Sequence, residues 1–202
     1  MATLKFLSFN ARGLRQSKKR RRLFAYLHRR KSDIILLQES HSCLSDEKYW
    51  INEWGGKILF SHGSTSSRGV CLLFNPYLHV NILKQTVNMY GRYLIVDIKF
   101  ADSIITIVVV YGPNVDNPSF FKDLSNDLSN FHNDTIIIAG DFNFVFNLDL
   151  DKVGGLRKTN FKARDECLTL MSVYSLVDVW REKKPIFKVF YLEFQYNPWN
   201  TL

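Results

Sequence analysis

Apolar runs of strand length that end in a polar residue recur along this chain. The clearest run covers residues 135–141, where β-branched side chains lead directly into Gly140 and Asp141. A continuous apolar run of this length is typical of a strand that is buried on both of its faces. Three further runs of this form predict strands, at residues 4–10, 33–39 and 104–111.

The rest of the chain alternates between helical segments and segments of hairpin length. Four helices are predicted, at residues 17–31 (with Ser17 as N-cap and an apolar stripe), 45–54 (with acids in its first turn), 117–131 (with Pro118 in its first turn) and 161–175. Short alternating segments predict an antiparallel meander, with strands at residues 57–61, 69–74, 78–87 and 92–100. A polar loop at residues 147–160 and a last strand at 187–194 complete the assignment. Because hairpin links mix with helical crossovers, we expect an α/β sandwich of mixed sheets.

Four of the predicted strands end in side chains that carry oxygen. Asn10, Glu39 and Tyr111 end three of them, and Asp141 and Asn143 lie at the end of the fourth. In open α/β sheets, ligands bind beyond the carboxyl ends of the strands. Asp and Asn are also ordinary turn residues, so each tip taken alone can be a simple turn. Recurrence on four strands favours a polar site at one edge of the fold.

The composition indicates one globular domain over residues 1–202. The aromatic content of 14% excludes a disordered chain, and the length is short for two domains. No apolar run could cross a bilayer and no secretory pattern opens the chain, so we expect no membrane partner. The three cysteines are scattered and odd in number, which indicates a reducing, intracellular compartment and argues against a zinc cluster or disulfide framework. We also expect a monomer without a small-molecule cofactor.

Positive charge is concentrated at the N-terminus. The first 31 residues contain eleven Lys and Arg and no acid, whereas the remaining chain has sixteen bases and nineteen acids. The densest run consists of Lys18, Lys19, Arg20, Arg21 and Arg22. Such a run can be a solvated helix face, a nuclear-import signal or a surface that contacts nucleic-acid phosphates. We expect nucleic-acid contact by these five residues and a nuclear location.

The motifs resemble those of a known family. They are Asn10 within residues 7–14, Gln38-Glu39-Ser40-His41, Tyr111-Gly112-Pro113-Asn114, Gly140-Asp141-Phe142-Asn143, and the segments 150–155 and 176–181. In this order they resemble the exonuclease–endonuclease–phosphatase superfamily, and within it the apurinic-endonuclease-like domain of LINE-type (non-LTR) retrotransposons. The resemblance implies a four-layered α/β sandwich, with two β-sheets face to face and helices outside. It also implies an enzyme that nicks one strand of DNA with a divalent cation, Mg²⁺ or Mn²⁺.

The resemblance also implies a role for each polar tip. Glu39 is the expected metal ligand, with Asn10 beside it, since Mg²⁺ prefers oxygen ligands. Asp141 is expected to deprotonate the attacking water as a general base. Asn143 and Tyr111 are expected to donate hydrogen bonds to phosphate oxygens. Each of these residues has a structural alternative, as a strand-end residue facing solvent, a turn residue or a core aromatic.

The sequence departs from the family pattern in several places. Relatives close their site with a Ser-Arg-Ile-Asp-Tyr-like strand and a terminal Ser-Asp-His, and neither precedes Leu202. Phe190-Tyr191 stands where relatives commonly have Phe-Thr, and Arg12 stands where some members carry an acid near the metal. We therefore expect a domain that is incomplete at its C-terminus, lacks its last strands and has little or no nicking activity.

Three functions remain open at this point. The first is a metal-dependent endonuclease, impaired in this chain. The second is a non-catalytic remnant that binds nucleic acid through the basic helix. The third is a phosphoesterase that acts on a small phosphoester, since the superfamily includes such enzymes.

Overall fold

Eight β-strands form two four-stranded sheets in the computed structural model, which describes residues 3–151 and 160–184. The polypeptide divides into two compact units. The first comprises the residues up to Pro113 together with Leu124–Phe142, and it contains both sheets. The second comprises Asn114–Asp123 and the residues from Asn143 onward. A single domain over the whole chain stays a prediction.

The first sheet has the strand order β1-β2-β4-β3. Its strands are β1 (Phe6–Asn10), β2 (Ile34–Gln38), β3 (Ile58–Ser61) and β4 (Val70–Phe74). Strands β1 and β2 are parallel, and β4 runs antiparallel to both β2 and β3. Because β1 and β2 are parallel, their carboxyl ends meet at the same edge of the sheet.

The second sheet has the strand order β5-β6-β7-β8. Its strands are β5 (Asn81–Val87), β6 (Tyr93–Phe100), β7 (Ser103–Tyr111) and β8 (Ile136–Asp141). The first three form an antiparallel meander, and β8 runs parallel to β7. The carboxyl ends of β7 and β8 therefore also meet at one edge.

The two sheets face each other across an apolar core. Alternation along β2 directs Ile34 and Leu36 into this core and Ile35 and Leu37 to the opposite face. The second sheet contributes fully buried Val96, Ile107 and Val109 to the same core. Burial of each such side chain contributes on the order of 1.5–3 kcal/mol. The double burial expected for the run at residues 33–39 is confirmed.

Two helices cover the outer face of the first sheet. They are α1 (Ser17–Arg29) and α2 (Glu47–Trp54), the second preceded by a 3-10 turn at Leu44–Asp46. Phe24 of α1 packs edge-on against Trp54 of α2, with ring centroids 5.4 Å apart. The indole nitrogen of Trp54 donates to the carbonyl of Phe74 at 2.7 Å. This contact fixes α2 to the end of β4.

The helix α3 (Ser119–Leu128) has its last residues in the first unit. There, the Tyr93 hydroxyl of β6 donates to the carboxylate of Asp127 at 2.6 Å, and Leu124 and Leu128 are buried. This half of the helix thus lies against the second sheet.

Within the described residues the second unit contains three further helices, α4 (Leu148–Asp151), α5 (Phe161–Val173) and α6 (Val179–Lys183). The carboxylate of Asp116 accepts from the backbone N–H of Ala163 at 2.8 Å, and so satisfies a donor in the first turn of α5. The carboxylate of Asp178 caps α6 by accepting from the N–H of Arg181 at 3.0 Å. Among the described residues, no helix has the length and apolarity that a membrane span requires.

The structure corrects four local expectations. The strands at residues 57–100 do not form one meander, because β3 and β4 pair in the first sheet while β5 and β6 pair in the second. Strand β8 is half-buried, since it is the last strand in the order of its sheet within the described part of the chain. Gln16, not Ser17, is the N-cap of α1. Residues 148–151, expected in a polar loop, form α4. The expected strand at 187–194 lies outside the described residues.

Candidate functional site

The ends of four strands bring Asn10, Glu39, Tyr111 and Asp141 together. Asn10 pairs with Gln38, the residue before Glu39, across the parallel strands β1 and β2. Tyr111 pairs with Asp141 across the parallel strands β7 and β8. The two pairs belong to different sheets, and a side-chain hydrogen bond from Asn10 to Asp141 joins them. The predicted convergence of these four residues is therefore present in the structure.

Asn10 holds the two carboxylates of the site side by side. Its amide nitrogen donates to Oε1 of Glu39 at 2.8 Å and to Oδ2 of Asp141 at 2.9 Å. An Asn amide has two hydrogens, one for each acceptor. Two neighbouring carboxylates repel each other because both are negative, and the hydrogens that Asn10 donates to them offset that repulsion.

The backbone fixes the orientation of this amide. The N–H of Arg12 donates to Oδ1 of Asn10 at 3.1 Å, and a backbone N–H can bond only to the oxygen of the amide. The nitrogen must then point toward Glu39 and Asp141. In the structure Asn10 positions the two acids, and its expected part in holding a metal stays a prediction.

Tyr111 completes the site as a hydrogen-bond donor. Its side chain is buried, and burial raises the pKa of the phenol, as do the charge of Glu39 and the hydrogen bond to Glu39. The negative charge of Asp141 acts in the same direction, while the Arg92 guanidinium opposes it. A raised phenol pKa keeps the proton on Tyr111 near neutral pH, so the hydroxyl remains a donor.

Arg92 is a residue of the site that the sequence did not reveal. Its guanidinium lies 5.2 Å from the centroid of the Tyr111 ring and donates to the carbonyl of Gly112 at 2.9 Å. Burial lowers the pKa of Arg92, and the nearby charge of Arg68 lowers it further. Arg92 follows a glycine in a hairpin turn, and no spacing rule connects that position to a strand end 19 residues later.

The backbone of Glu39 has a conformation that L-residues rarely adopt. Its φ angle is 50°, and those of Arg12 and His41 are 48° and 55°. Positive φ at non-glycine residues costs on the order of 1–3 kcal/mol each and clusters at functional sites. The N–H of Gly13 donates to the Glu39 carbonyl at 2.7 Å, and the N–H of Ser40 donates to the Gly69 carbonyl at 2.9 Å. These bonds hold the strained turn that directs the Glu39 side chain.

A network of polar side chains stabilises the segment that follows Glu39. The Ser42 hydroxyl is hydrogen-bonded to Nδ1 of His62 at 3.0 Å, and Nε2 of His62 lies 2.9 Å from Oε1 of Glu47. Ser42 also contacts the hydroxyl of Ser40 at 3.1 Å, and both serines are buried. Burial raises the pKa of the adjacent Cys71 thiol to about 12, so this cysteine stays neutral. The network fixes the residues that follow Glu39, and no pattern in the sequence indicated it.

Two side chains that can carry positive charge, those of Lys19 and His41, lie close to Glu39. The ammonium group of Lys19 donates to the Arg12 carbonyl at 2.7 Å. Burial lowers the pKa of Lys19, the charge of Glu39 raises it, and the charge of Arg12 lowers it. Lys19 is thus close to both residues. Burial likewise lowers the pKa of His41, which favours its neutral form.

The structure separates the five predicted phosphate-contacting residues of α1. Lys18, Arg21 and Arg22 are exposed, and Lys19 lies beside Glu39. Arg20 corrects the prediction, because it is buried in a bidentate ion pair with Glu53 at 2.6 and 2.9 Å. Its remaining nitrogen donates to the carbonyls of Leu14 and Arg15, so Arg20 has a structural role.

Asn143 is the remaining predicted site residue. It lies in the second unit, has a φ angle of 57°, and its carbonyl accepts from the amide of Asn160 at 3.2 Å. Its expected contact with a phosphate stays a prediction.

The donor set fits a hard divalent cation. Mg²⁺ binds oxygen ligands and is commonly held by one or two carboxylates together with waters. Glu39 and Asp141 provide two carboxylates that share one amide donor. No group of three or more His, Cys, Asp or Glu suited to a metal ion occurs in the described part of the chain. A magnesium-type site needs no more than one or two carboxylates.

Comparison with known proteins places these features in a family. Residues 7–170 match the family model described as "Endonuclease/Exonuclease/phosphatase family". Over 185 residues the chain is 29% identical to the transposon TX1 uncharacterized 149 kDa protein of Xenopus laevis. That alignment covers 90% of this chain and 14% of the relative, so the chain spans a small part of the relative's length.

Solved structures share the fold. The AP endonuclease LMAP from Leishmania major matches with a TM-score of 0.72 and 17% identity, over 91% of this chain and 70% of that one. An AP endonuclease from Archaeoglobus fulgidus matches with a TM-score of 0.70 and 18% identity, over 91% and 75%. The endonuclease domain of TRAS1, a telomere-specific non-LTR retrotransposon, matches with a TM-score of 0.58 and 16% identity, over 85% and 72%. The expected class of two mixed sheets flanked by helices is confirmed.

Proposed function

Because the chain belongs to the endonuclease/exonuclease/phosphatase family, we propose that it cleaves phosphodiester bonds of DNA as a divalent-cation-dependent endonuclease. The observation that carries this proposal is the bridge from one Asn10 amide to both Glu39 and Asp141. A pair of carboxylates beside a protonated phenol matches the needs of phosphodiester hydrolysis, which are a proton acceptor, a cation ligand and a donor to the phosphate.

In the proposed mechanism Asp141 accepts the proton of the attacking water. Asn10 orients this carboxylate through the 2.9 Å hydrogen bond. Tyr111 donates its hydroxyl proton in a hydrogen bond to a phosphate oxygen as negative charge develops there. Arg92, beside the Tyr111 ring, contributes positive charge to the phosphate side of the site.

Glu39 would hold the cation, with Asn10 beside it. When bound, a divalent cation polarises the phosphate and lowers the pKa of a bound water. Lys19 places positive charge close to Glu39, and that charge opposes binding of a metal cation there. We therefore propose that the site binds its cation weakly, so that activity is low at low cation concentration.

The cation site is tested by thermal unfolding of the protein in Mg²⁺ or Mn²⁺. We expect the wild-type protein to gain about 2.7 kcal/mol at a cation concentration 100 times the Kd, because only the folded state binds. Glu39→Gln retains an acceptor oxygen for Asn10 and Tyr111 but removes the charge, and it should lose most of this gain. Asp102→Asn, an exposed acid in the turn between β6 and β7, is the matched control and should keep the gain. Equal shifts for wild type and Glu39→Gln would contradict the proposed cation site.

A second candidate function is binding of nucleic acid without cleavage. The observation in its favour is the exposed row of Lys18, Arg21 and Arg22 on α1. Each cation that contacts a phosphate adds about one unit to the slope of log Kd against log salt.

The salt dependence of DNA binding tests this candidate. Neutralising Lys18, Arg21 and Arg22 to Gln should weaken binding and lower the slope by roughly one unit for each phosphate that the variant no longer touches. The control neutralises Lys5, Lys31 and Lys99, which are exposed near the strand ends opposite those that carry the candidate site. This control should leave the slope nearly unchanged. Salt-dependent binding by a chain that does not nick DNA favours this second function. If both triple variants change the slope equally, the exposed row on α1 is not the contact surface.

A further inference from the structure

The turn between β5 and β6 exposes two large apolar side chains. Met89 is 80% exposed and Tyr90 is 62% exposed. Single apolar residues on a surface are ordinary and require no explanation. Met89 and Tyr90 differ from such isolated residues because they are neighbours in the sequence, lie at the tip of one hydrogen-bonded turn and are close to the candidate site.

Hydrogen bonds make this tip rigid. The side-chain oxygen of Asn88 accepts from the N–H groups of Tyr90 and Arg92, at 3.0 and 3.3 Å. The carbonyl of Asn88 accepts from the hydroxyl of Ser61 at 2.6 Å. Gly91 has a φ angle of 69°, and a Cβ there would lie 2.5 Å from the carbonyl of His62. A turn anchored in this way fixes the backbone at Met89 and Tyr90 and leaves their side chains exposed.

Two backbone connections lead from the tip to the site. The N–H of Gly69 donates to the Gly91 carbonyl at 3.0 Å, and the carbonyl of Gly69 accepts from Ser40, the neighbour of Glu39. On the other side, the N–H of Tyr111 donates to the Arg92 carbonyl at 2.7 Å. Tyr90 is two residues from Arg92, so at most about 7 Å of backbone separates them.

The chemistry around the tip suits one class of ligand. Arg92 lies beside the Tyr111 ring and Arg68 is close to Arg92, so the two residues supply positive charge for phosphates. An exposed aromatic ring beside cations binds nucleobases, because every base has a face that stacks on the ring. Exposed Met and other apolar side chains also enter base steps as wedges and unstack them.

We propose that Met89 and Tyr90 form a nucleobase-binding subsite, which contacts bases of the DNA strand whose phosphate lies at the Glu39–Asp141 site. This inference rests on the proposed function, since it takes DNA as the substrate. The subsite favours sequences in which bases unstack easily, such as pyrimidine–purine steps and unpaired junctions.

The experiment uses DNA that carries 2-aminopurine at one position after another, with the protein present and no divalent cation added. The fluorescence of this base rises when it leaves its stacked neighbours. We expect a rise at one or two adjacent positions with the wild-type protein, and its loss with Tyr90→Ala. Binding should weaken about tenfold in Tyr90→Ala, which corresponds to about 1.4 kcal/mol. Tyr90→Phe keeps the ring and should behave as the wild-type protein.

Tyr77→Ala is the matched control. Tyr77 is 89% exposed, but it follows the end of β4 that lies opposite the site. If Tyr90→Ala and Tyr77→Ala bind and fluoresce alike, the subsite does not exist, whereas the proposed endonuclease function is unaffected. If the wild-type protein binds no DNA with or without Mg²⁺, the proposed function falls and the subsite falls with it. If Tyr90→Ala instead changes only self-association, the tip is a protein contact and the inference is wrong.

Discussion

Asp141→Asn is expected to lower the rate of DNA nicking by a factor of about 100 to 10,000, the range in which general bases contribute. The substitution is conservative in shape. The new side-chain amide would still offer an oxygen to the Asn10 amide, which donates to this position at 2.9 Å. The slower rate would therefore report the missing charge and proton acceptor and not a disordered strand end. Conversion of supercoiled to open-circular plasmid, with protein in excess over DNA and Mg²⁺ or Mn²⁺ present, measures the rate.

The control for this prediction removes the same charge elsewhere. Asp102→Asn lies in the turn between β6 and β7, at the edge of the second sheet opposite Asp141. It should nick plasmid at the wild-type rate. Nicking by Asp141→Asn at the rate of Asp102→Asn would remove Asp141 from the mechanism, and with it the central assumption of the proposed function.

Arg20→Ala is expected to destabilise the protein by about 3 kcal/mol, at the lower end of the range for breaking a buried ion pair. The Arg20 side chain is 7% exposed and that of Glu53 is 19% exposed. Removal of the guanidinium leaves Glu53 with only its 3.2 Å contact to Arg21 among the ion pairs of the described residues. It also removes the donors to the carbonyls of Leu14 and Arg15 and the contact over the Trp50 ring. Thermal unfolding should show a Tm lower by about 6–12 °C.

Arg22→Ala is the matched control, because it removes one charge from the exposed face of the same helix. Its Tm should change by less than about 2 °C. The pair also separates stability from electrostatics, since both variants lose one positive charge. Equal Tm values for the two variants would show that the buried ion pair does not stabilise the fold.

The same ion pair predicts a dependence of stability on pH. The hydrogen bond from Arg20, with help from Arg21, lowers the pKa of Glu53 below its ordinary value of 4.5. A carboxyl whose pKa is lowered by folding stabilises the protein above its unfolded pKa and loses that contribution as pH falls through its folded pKa. The difference in stability between wild type and Arg20→Ala should therefore shrink below about pH 4.

The strands and their polar ends follow from local pattern. Apolar runs placed β1, β2, β7 and β8 within one or two residues, because the period of side chains along a strand is visible in sequence. The sequence did not show which strands pair within the same sheet. Only the short segment at residues 75–80 separates β4 from β5, yet β5 pairs in the other sheet. Only the packing of two apolar faces against each other decides between these arrangements.

The sequence also did not show where the charged side chains lie in the fold. Five consecutive basic residues looked equivalent, but helical geometry directs Arg20 to Glu53, 33 positions away, and leaves Arg22 exposed. Arg92 carries no local signal either, because its position beside Tyr111 arises from the pairing of β6 with β7. Contacts between residues distant in sequence depend on register and packing, which a single sequence does not display.

The sequence by itself determined that four strands end in Asn10, Glu39, Tyr111 and Asp141. Apolar strand runs and the polar residues that end them are local features of the sequence. The tertiary structure alone decided that one Asn10 amide would hold Glu39 and Asp141 together, and that Arg92 would lie over Tyr111. The physical reason is that parallel pairing aligns the strand ends within each sheet, whereas only the stacking of the two sheets brings those two sets of ends into contact.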